Sequence, residues 1–347
     1  MQRLLCLLSS MNMGGAETFL MKVYRALDKT RYQMDFCICV EEKCDYEDEI
    51  LQMGGRIFRI SPKSRNPKAF KSGLKKIINE NSYVNVLRIT SNAAGFWDLK
   101  IAKKAGATHT VARSSNASDG NSRLQLMIHK TGRALWMKYV DVKIAPSDLA
   151  AEYTFGKRAV ANKEVHFLNN GLDLDVFRFD MKSRLKIREE WGAKDSTVVL
   201  GHIGRFNTQK NHKFLIQVFS EYVKNNPDSL LILTGVGDLE EQVIQQVNEL
   251  HLKDKVIFTG LRKDIPNLLS AFDVFVFPSF YEGMPNTVIE AQACGLPCVI
   301  SDTITAQANL SGKVAYLPPG ETAAWTSAID AALTGGRVSC YPWMFNG

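Results

Sequence analysis

The chain has 347 residues, of which 45% are hydrophobic and 23% charged, and its formal net charge is +7. That length supports two domains with separate cores, and the composition is globular rather than fibrous or disordered. No apolar run reaches the roughly 20 residues of a membrane-spanning helix, and the modest positive charge admits an anionic substrate or surface without any motif for reading nucleic acid.

Taken in chain order, RLLCLLSS reads as a first buried strand. Its apolar part is short for a signal peptide and no small-residue cleavage site follows, so a cytoplasmic protein is expected. A helical stretch near AETFLMKVYRAL and a strand YQMDFCICV come next. In PKSRNPKAFKSGLKKIINEN, Lys63, Arg65, Lys68, Lys71, Lys75 and Lys76 surround Phe70, Leu74, Ile77 and Ile78 at helical spacing. Such a helix fits either an anionic membrane surface or an ordinary surface position with its stripe on the core. RLQLMIHKTGRALWMKYV, with Trp136 among apolar and basic residues, offers the same two readings. The polar stretch NNGLDLDVFRFDMKSRLKIREEWGAKD reads as an interdomain connection over 171–195. Beyond it STVVLGHIG, SLLILTG, KVIFTG, DVFVFPS and PCVIS read as buried strands with helices between. The strand–helix rhythm occurs twice, predicting an α/β protein of two doubly wound, Rossmann-like domains, 1–170 and 196–347. Ligand would lie in a cleft at the carboxyl ends of the strands.

The seven cysteines form no C-x-x-C pair and no cluster with histidine, so they read as reduced core thiols. Asp173 and Asp175 form D-x-D inside the connection, where a turn explains them better than a metal. Gly235-x-Gly237 follows a strand but lacks an acidic ribose partner about 20 residues on, so it reads as turn glycines. No metal and no cofactor are expected.

The chemistry concentrates in the second domain. The strand STVVLGHIG delivers Gly204 and Arg205 to its carboxyl end, with Lys210 a short loop later. Two cations so placed can clamp a diphosphate from different sides. FYEGMPNTVIEAQACG sets Glu282 before Gly283 and Pro285, then Glu290 inside a helix. A helix starting at Pro285 would offer N–H groups from Gly283, Met284, Asn286 and Thr287 to the same phosphates. Glu290 could accept two O–H bonds from a ribose, and Glu282 could accept from a sugar beyond the diphosphate.

GRFNTQKNH with YEGMPNTVIEAQACGLPCVISD resembles the family-4 retaining glycosyltransferases of GT-B fold, most nearly those of bacterial capsule and exopolysaccharide synthesis. MNMGGAETF, NNGLDLDVF and TGVGDLEEQV fit the same family, and the likeness runs from about residue 3 to about residue 302. The resemblance implies transfer of a hexosyl unit from a nucleotide-diphosphate sugar, a UDP-sugar above others, without a metal. The acceptor would be a saccharide, lipid-linked, at the inner face of the cell membrane, with peripheral contact to anionic lipid. Arg205 and Lys210 would bind the donor diphosphate, Glu290 the ribose, and Glu282 with the backbone after it the donor sugar. Gly14 and Gly15 would form the first-domain loop that closes on the phosphates and admits the acceptor.

Three stretches depart from the pattern. VARSSNASDG carries Arg113 and Ser115 where histidines often stand, and His109 lies earlier in the same strand. Arg113 is a candidate for the acceptor side. TITAQAN lacks the acidic residue often found after SD, and TGGRVSCYPWMFNG shows no helical period where relatives carry a helix crossing back to the first domain. These departures keep two alternatives open, a catalytically silent sugar-nucleotide binder and a GT-B epimerase.

Overall fold

The computed structural model describes residues 1–115, 123–169 and 171–338. It divides into two compact units, Met1–Gly171 and Leu172–Gly347. The first contains β1 (Gln2–Leu7), α1 (Gly15–Ala26), β2 (Tyr32–Ile38), α2 (Glu47–Gln52), β3 (Ile57–Arg59), α3 (Pro67–Glu80), β4 (Asn85–Thr90), α4 (Phe96–Lys104), β5 (His109–Ser114), α5 (Arg123–Trp136), β6 (Val142–Ala145), α6 (Asp148–Phe155), α7 (Lys157–Ala161) and β7 (Val165–Phe167). The second contains α8 (Met181–Glu190), β8 (Val198–Ile203), α9 (His212–Asn225), β9 (Ser229–Thr234), α10 (Glu240–Glu249), β10 (Val256–Gly260), α11 (Ile265–Ala271), β11 (Val274–Phe277), α12 (Asn286–Ala293), β12 (Cys298–Ser301), β13 (Val314–Leu317) and α13 (Thr322–Gly335).

The strands are ordered β3-β2-β1-β4-β5-β6-β7 in one sheet and β10-β9-β8-β11-β12-β13 in the other. Every ladder is parallel, which gives the two doubly wound sheets that the strand–helix rhythm predicts. Parallel strands are buried on both faces and so carry unbroken apolar runs, as VFVF of β11 does. In the first unit α1 and α2 cover one face, and α3, α4, α6 and α7 the other. In the second unit α9, α10 and α13 lie over one face, and α8, α11 and α12 over the other. Chain order reverses between β1 and β4 in the first sheet and between β8 and β11 in the second. At such a point the adjoining loops turn apart and leave a crevice at the carboxyl edge.

The structure places two stretches that the sequence left open. Residues 172–195 are folded into the second unit: Leu172, Leu174, Phe177 and Trp191 pack in its core, and Arg184 and Arg188 of α8 lie 2.7 and 3.0 Å from the Asp273 carboxylate. Widely spaced apolar residues in a charged stretch concealed that packing. The apolar stripe of α3 is not available to a membrane either, because Phe70, Leu74, Ile77 and Ile78 are all buried in the first core. In α5, by contrast, Leu124, Met127, Ile128 and Leu135 are exposed.

After α13, Gly336 turns the chain at φ +57, and Arg337 donates to the carbonyls of Leu269, Ser270, Phe272 and Cys294. The residues after 338 in the final segment lie outside the described ones. Cys6, Cys37, Cys44, Cys294 and Cys298 are free and buried, and burial pushes the thiols of Cys6, Cys37 and Cys298 up.

Candidate active site

The crevice between β8 and β11 gathers the second-domain candidates. After β8, Gly204 N donates to Thr234 O at 2.9 Å and Phe206 N to Val236 O at 3.1 Å, which holds the intervening Arg205 at the sheet edge. Arg205 is exposed, and its side chain has no partner among the described residues. Gly235 and Gly237 press on this loop. A Cβ at Gly235, where φ is +137, would lie 2.2 Å from Gly204 O, and one at Gly237 would lie 2.4 Å from Phe206 O. The pair therefore buttresses the Arg205 loop, a role the spacing alone did not reveal.

The loop then folds through a 3-10 turn, Thr208–Lys210, capped by the Asn207 side chain, which accepts from Lys210 N at 3.2 Å. Asn211 adopts φ +54, a left-handed conformation that asparagine tolerates better than most residues, and turns the chain into α9. Four bonds stitch this loop to the one after β11. Asn211 Nδ2 donates to Pro278 O at 3.2 Å, and Gln209 Nε2 donates to Tyr281 O at 2.8 Å. Phe280 N donates to Gln209 O at 2.8 Å, and Lys210 Nζ donates to Glu282 Oε1 at 2.7 Å. The Lys210 ammonium also sits 4.5 Å from the centroid of the Phe277 ring. Motifs far apart in sequence thus become one surface, held by partners that only the fold identifies.

Pro285 is the cap of α12 rather than its first residue. It has φ −75 and ψ 109, and its carbonyl accepts from Ile289 N at 3.2 Å. An extended residue whose C=O already enters the helix is a cap, so the helix begins one residue later than the proline suggests. Gly283 and Pro285 are buried, while Met284, Asn286 and Thr287 are half-buried. Glu282 and Glu290 are each 8% exposed. Gln292, two residues beyond Glu290, accepts from Leu310 N and Ser311 N at 2.9 Å and donates to Ala308 O at 2.7 Å. It fixes α12 to the loop after β12, and sequence reasoning passed over it.

Behind the cations lie two buried histidines. His202 Nδ1 is 2.8 Å from Val276 O; a carbonyl only accepts, so Nδ1 carries the proton and Nε2 is a bare acceptor. Burial depresses His202 to about 3 and His212 to about 2, so both are neutral. His212 stacks on Phe206 with centroids 4.1 Å apart. A Cβ at Gly204 would lie 3.0 Å from His202 Nε2 and 3.1 Å from Lys210 Cδ, so a side chain there would crowd both.

The remaining candidates lie elsewhere. Gly14 caps α1 in extended conformation at φ −159, and Gly15 is the first helical residue; both belong to the first unit. Arg113 is 3% exposed, with its guanidinium carbon 3.6 Å from the centroid of Phe19 and its pKa lowered to about 10 by burial. It packs under α1 rather than projecting into solvent. His109 opens β5 and is exposed. The Asp173 carboxylate accepts from Asp175 N and Val176 N, and Asp175 lies 3.1 Å from Arg178, so the D-x-D stretch is a turn.

Lys210 and Glu282 are therefore paired across two stitched loops, with Arg205 earlier on the first of them and Glu290 in the helix that follows the second. Such a set fits a ligand that carries both phosphates and hydroxyls, since each cation can meet a phosphate and each carboxylate can accept from a polyol. The family described as "Glycosyl transferases group 1" matches residues 197–335. EpsF of Bacillus subtilis (strain 168), named as a glycosyltransferase, is 34% identical over 97% of this chain and 89% of its own length. An Escherichia coli UDP-Gal:alpha-D-GlcNAc-diphosphoundecaprenol alpha-1,3-galactosyltransferase is 27% identical over 84% of this chain and 76% of its own. Among solved structures, Anabaena Alr3699/HepE in complex with UDP-glucose superposes with a TM-score of 0.79 at 20% identity, covering 96% of this chain and 90% of that one. The chain belongs to the group 1 glycosyltransferases, with the GT-B fold, and is related to enzymes of polysaccharide biosynthesis.

Proposed function

We propose that this glycosyltransferase moves a hexosyl unit from a UDP-sugar to a lipid-linked saccharide, with retention of the anomeric configuration and without a metal. The observation that carries the reading is the pair of stitched loops of the second unit, in which Lys210 meets Glu282 at 2.7 Å and the Arg205 side chain, on the same loop as Lys210, has no partner among the described residues. Arg205 and Lys210 take the donor diphosphate, Glu290 the ribose, and Glu282 the hydroxyls of the sugar being moved. As the glycosidic bond breaks, negative charge grows on the departing diphosphate, and two preorganised cations stabilise it where a metal ion otherwise would. The leaving phosphate oxygen accepts the proton of the incoming hydroxyl, so no separate base is required. The substrate of the Escherichia coli relative and the ligand of the Anabaena structure support UDP as the nucleotide, and the former supports a diphosphate-linked lipid as the acceptor.

In this reading the enzyme works at the cytoplasmic face of the membrane. No helix among the described residues is long and apolar enough to cross a bilayer. The exposed Leu124, Met127, Ile128 and Leu135 of α5, beside Arg123 and Lys130, support peripheral contact with anionic lipid. Co-sedimentation with phosphatidylglycerol vesicles tests this, and equal sedimentation of parent and Met127→Ser/Ile128→Ser would remove it.

Calorimetric titration of UDP, GDP and ADP tests the donor reading. UDP is expected to bind the parent best, and Glu290→Ala to weaken it by about 1.5 kcal/mol, roughly tenfold, as loss of a charged acceptor does. A folded parent that binds none of the three overturns the site assignment. With a radiolabelled UDP-sugar, undiminished turnover in excess EDTA and an α-linked product from an α-linked donor are expected. UDP binding without turnover would mark a silent binder, and a changed sugar without transfer an epimerase.

A further inference from the structure

The loop between β12 and β13 is bound to both elements that carry the candidate carboxylates. Near its start, Thr303 Oγ1 donates to Ser279 O at 3.1 Å, on the loop that leads into Glu282. Near its end it is gripped by Gln292 of α12, whose side chain is wholly buried. Gln292 Oε1 accepts from Leu310 N and Ser311 N at 2.9 Å and from Ser311 Oγ at 3.0 Å. Its Nε2 donates to Ala308 O at 2.7 Å and to Val288 O at 3.1 Å. The partners dictate the orientation of the amide, since donors surround its oxygen, carbonyls face its nitrogen, and both of its N–H bonds are used. Between these two ties the loop is braced as well: Thr305 Oγ1 accepts from Gln307 N at 3.3 Å, and the Tyr316 hydroxyl donates to Thr305 O at 3.1 Å.

Helix α12 is short, Asn286–Ala293, and its buried Ala291 and Ala293 are small, so directional bonds weigh heavily in fixing its rotation. Gln292 and Glu290 lie about 200° apart around the axis at about 3.6 residues per turn. A grip on the Gln292 side therefore decides where the Glu290 carboxylate points. We propose that Gln292 is a positioning residue for nucleoside recognition: by clamping the loop after β12 to α12, it sets the rotation at which Glu290 meets the ribose hydroxyls. The inference rests on the donor reading above for the ribose contact, and adds that preference for a ribose is built in part by a residue that does not touch it. A glutamine that only held the fold would, on removal, weaken every ligand alike. One that aims Glu290 changes the ranking of ligands that carry and lack the ribose hydroxyls.

The test titrates UDP and 2′,3′-dideoxy-UDP calorimetrically into the full chain. The parent is expected to prefer UDP by at least about tenfold, the worth of a charged hydrogen-bond acceptor, and Glu290→Ala to abolish that preference. Gln292→Met fills a similar volume without the directional bonds, and the Leu310 and Ser311 N–H groups it releases belong to half-buried residues within reach of water. It is expected to cut the preference at least about threefold, about half of that interaction, while dideoxy-UDP binds as it does to the parent. Thr303→Val, at an exposed position, releases the other end of the loop without touching the core and is expected to act in the same direction. A thermal melt confirms that each variant is folded, and Thr303→Val decides alone if Gln292→Met is not. A parental preference that Glu290→Ala abolishes but the loop variants keep in full overturns the proposal, as does equal weakening of both ligands by Gln292→Met. A parent that binds UDP with no such preference, or whose preference survives Glu290→Ala, removes instead the ribose assignment of Glu290, and this inference with it.

Discussion

The two reversal points of the molecule set the same pair of residue types to different work. At β8/β11, Lys210 meets Glu282 at 2.7 Å; at β1/β4, Lys63 meets Asp98 at 2.9 Å. Glu282 sits in a loop and has one cationic partner among the described residues, where the Arg205 side chain has none. Asp98 sits in α4, is almost wholly buried, and holds two cations at once. Glu282, on a loop and with a single lysine among the described residues, is the carboxylate free to exchange partners under the proposed function, whereas Asp98 is a buried anchor held by two cations, Lys63 and Arg88. A lysine–carboxylate contact at a sheet edge has no single meaning; the number of cations per carboxylate and the mobility of the carboxylate decide it.

The largest break in that comparison comes from neutralising the anchor. Asp98→Asn leaves Lys63 and Arg88 without a counter-charge in a buried site, and removal of one partner from such a cluster costs about 3–5 kcal/mol. Urea unfolding is expected to show that loss, while the folded fraction binds UDP as the parent does. A variant as stable as the parent would show that Asp98 is no anchor. Lys210→Ala tests the other side. It is expected to lower turnover of the donor by ~100- to 1000-fold, the cost of removing one preorganised donor to a developing anion. Single-turnover rates check this, and a fall below about tenfold would transfer the task to Arg205 alone.

The candidate donor site was legible in the sequence as a grouping because its residues cluster in two short runs. Gly204–Arg205–Lys210 follow one strand and Glu282 to Glu290 follow another. Its supports were not legible. Gln209, Asn211, Gly235 and Gln292 act through backbone partners in distant loops, and nothing local marks them. The first-unit cluster was hidden altogether: Lys63, Arg88 and Asp98 come from a loop, a strand and a helix that only sheet order brings together. Lys63 fell in a basic stretch that fits either a membrane surface or an ordinary surface helix, because helical spacing records which residues share a face but not what that face meets. The two sheets themselves were readable from unbroken apolar runs, which report burial on both faces without help from tertiary contacts.

The smallest expected effect concerns acid, and it also divides the units. In the first unit His129 has both ring nitrogens engaged, Nδ1 accepting from Ala93 N at 3.1 Å and Nε2 donating to Tyr153 O at 2.9 Å. In the second, His202 Nε2 and both nitrogens of His212 lack hydrogen-bond partners among the described residues, and burial depresses their pKa values to about 3 and about 2. An unfolded histidine titrates near about 6.5. Above that value both states are neutral and the folding free energy is flat. Below it only the unfolded chain takes up protons, so stability is lost as pH falls from the unfolded value toward the folded one. Each histidine then removes about 0.7 kcal/mol between about pH 7 and about pH 6, and about 1.4 kcal/mol for each further unit. His212→Phe keeps an aromatic ring against Phe206 and abolishes one of these protons. Unfolding midpoints in urea, measured across the acid range, are expected to fall less steeply for His212→Phe than for the parent. Parallel acid limbs would mean that His212 takes up its proton in the folded second unit as readily as in the unfolded chain, and that the pocket behind Lys210 admits a charge.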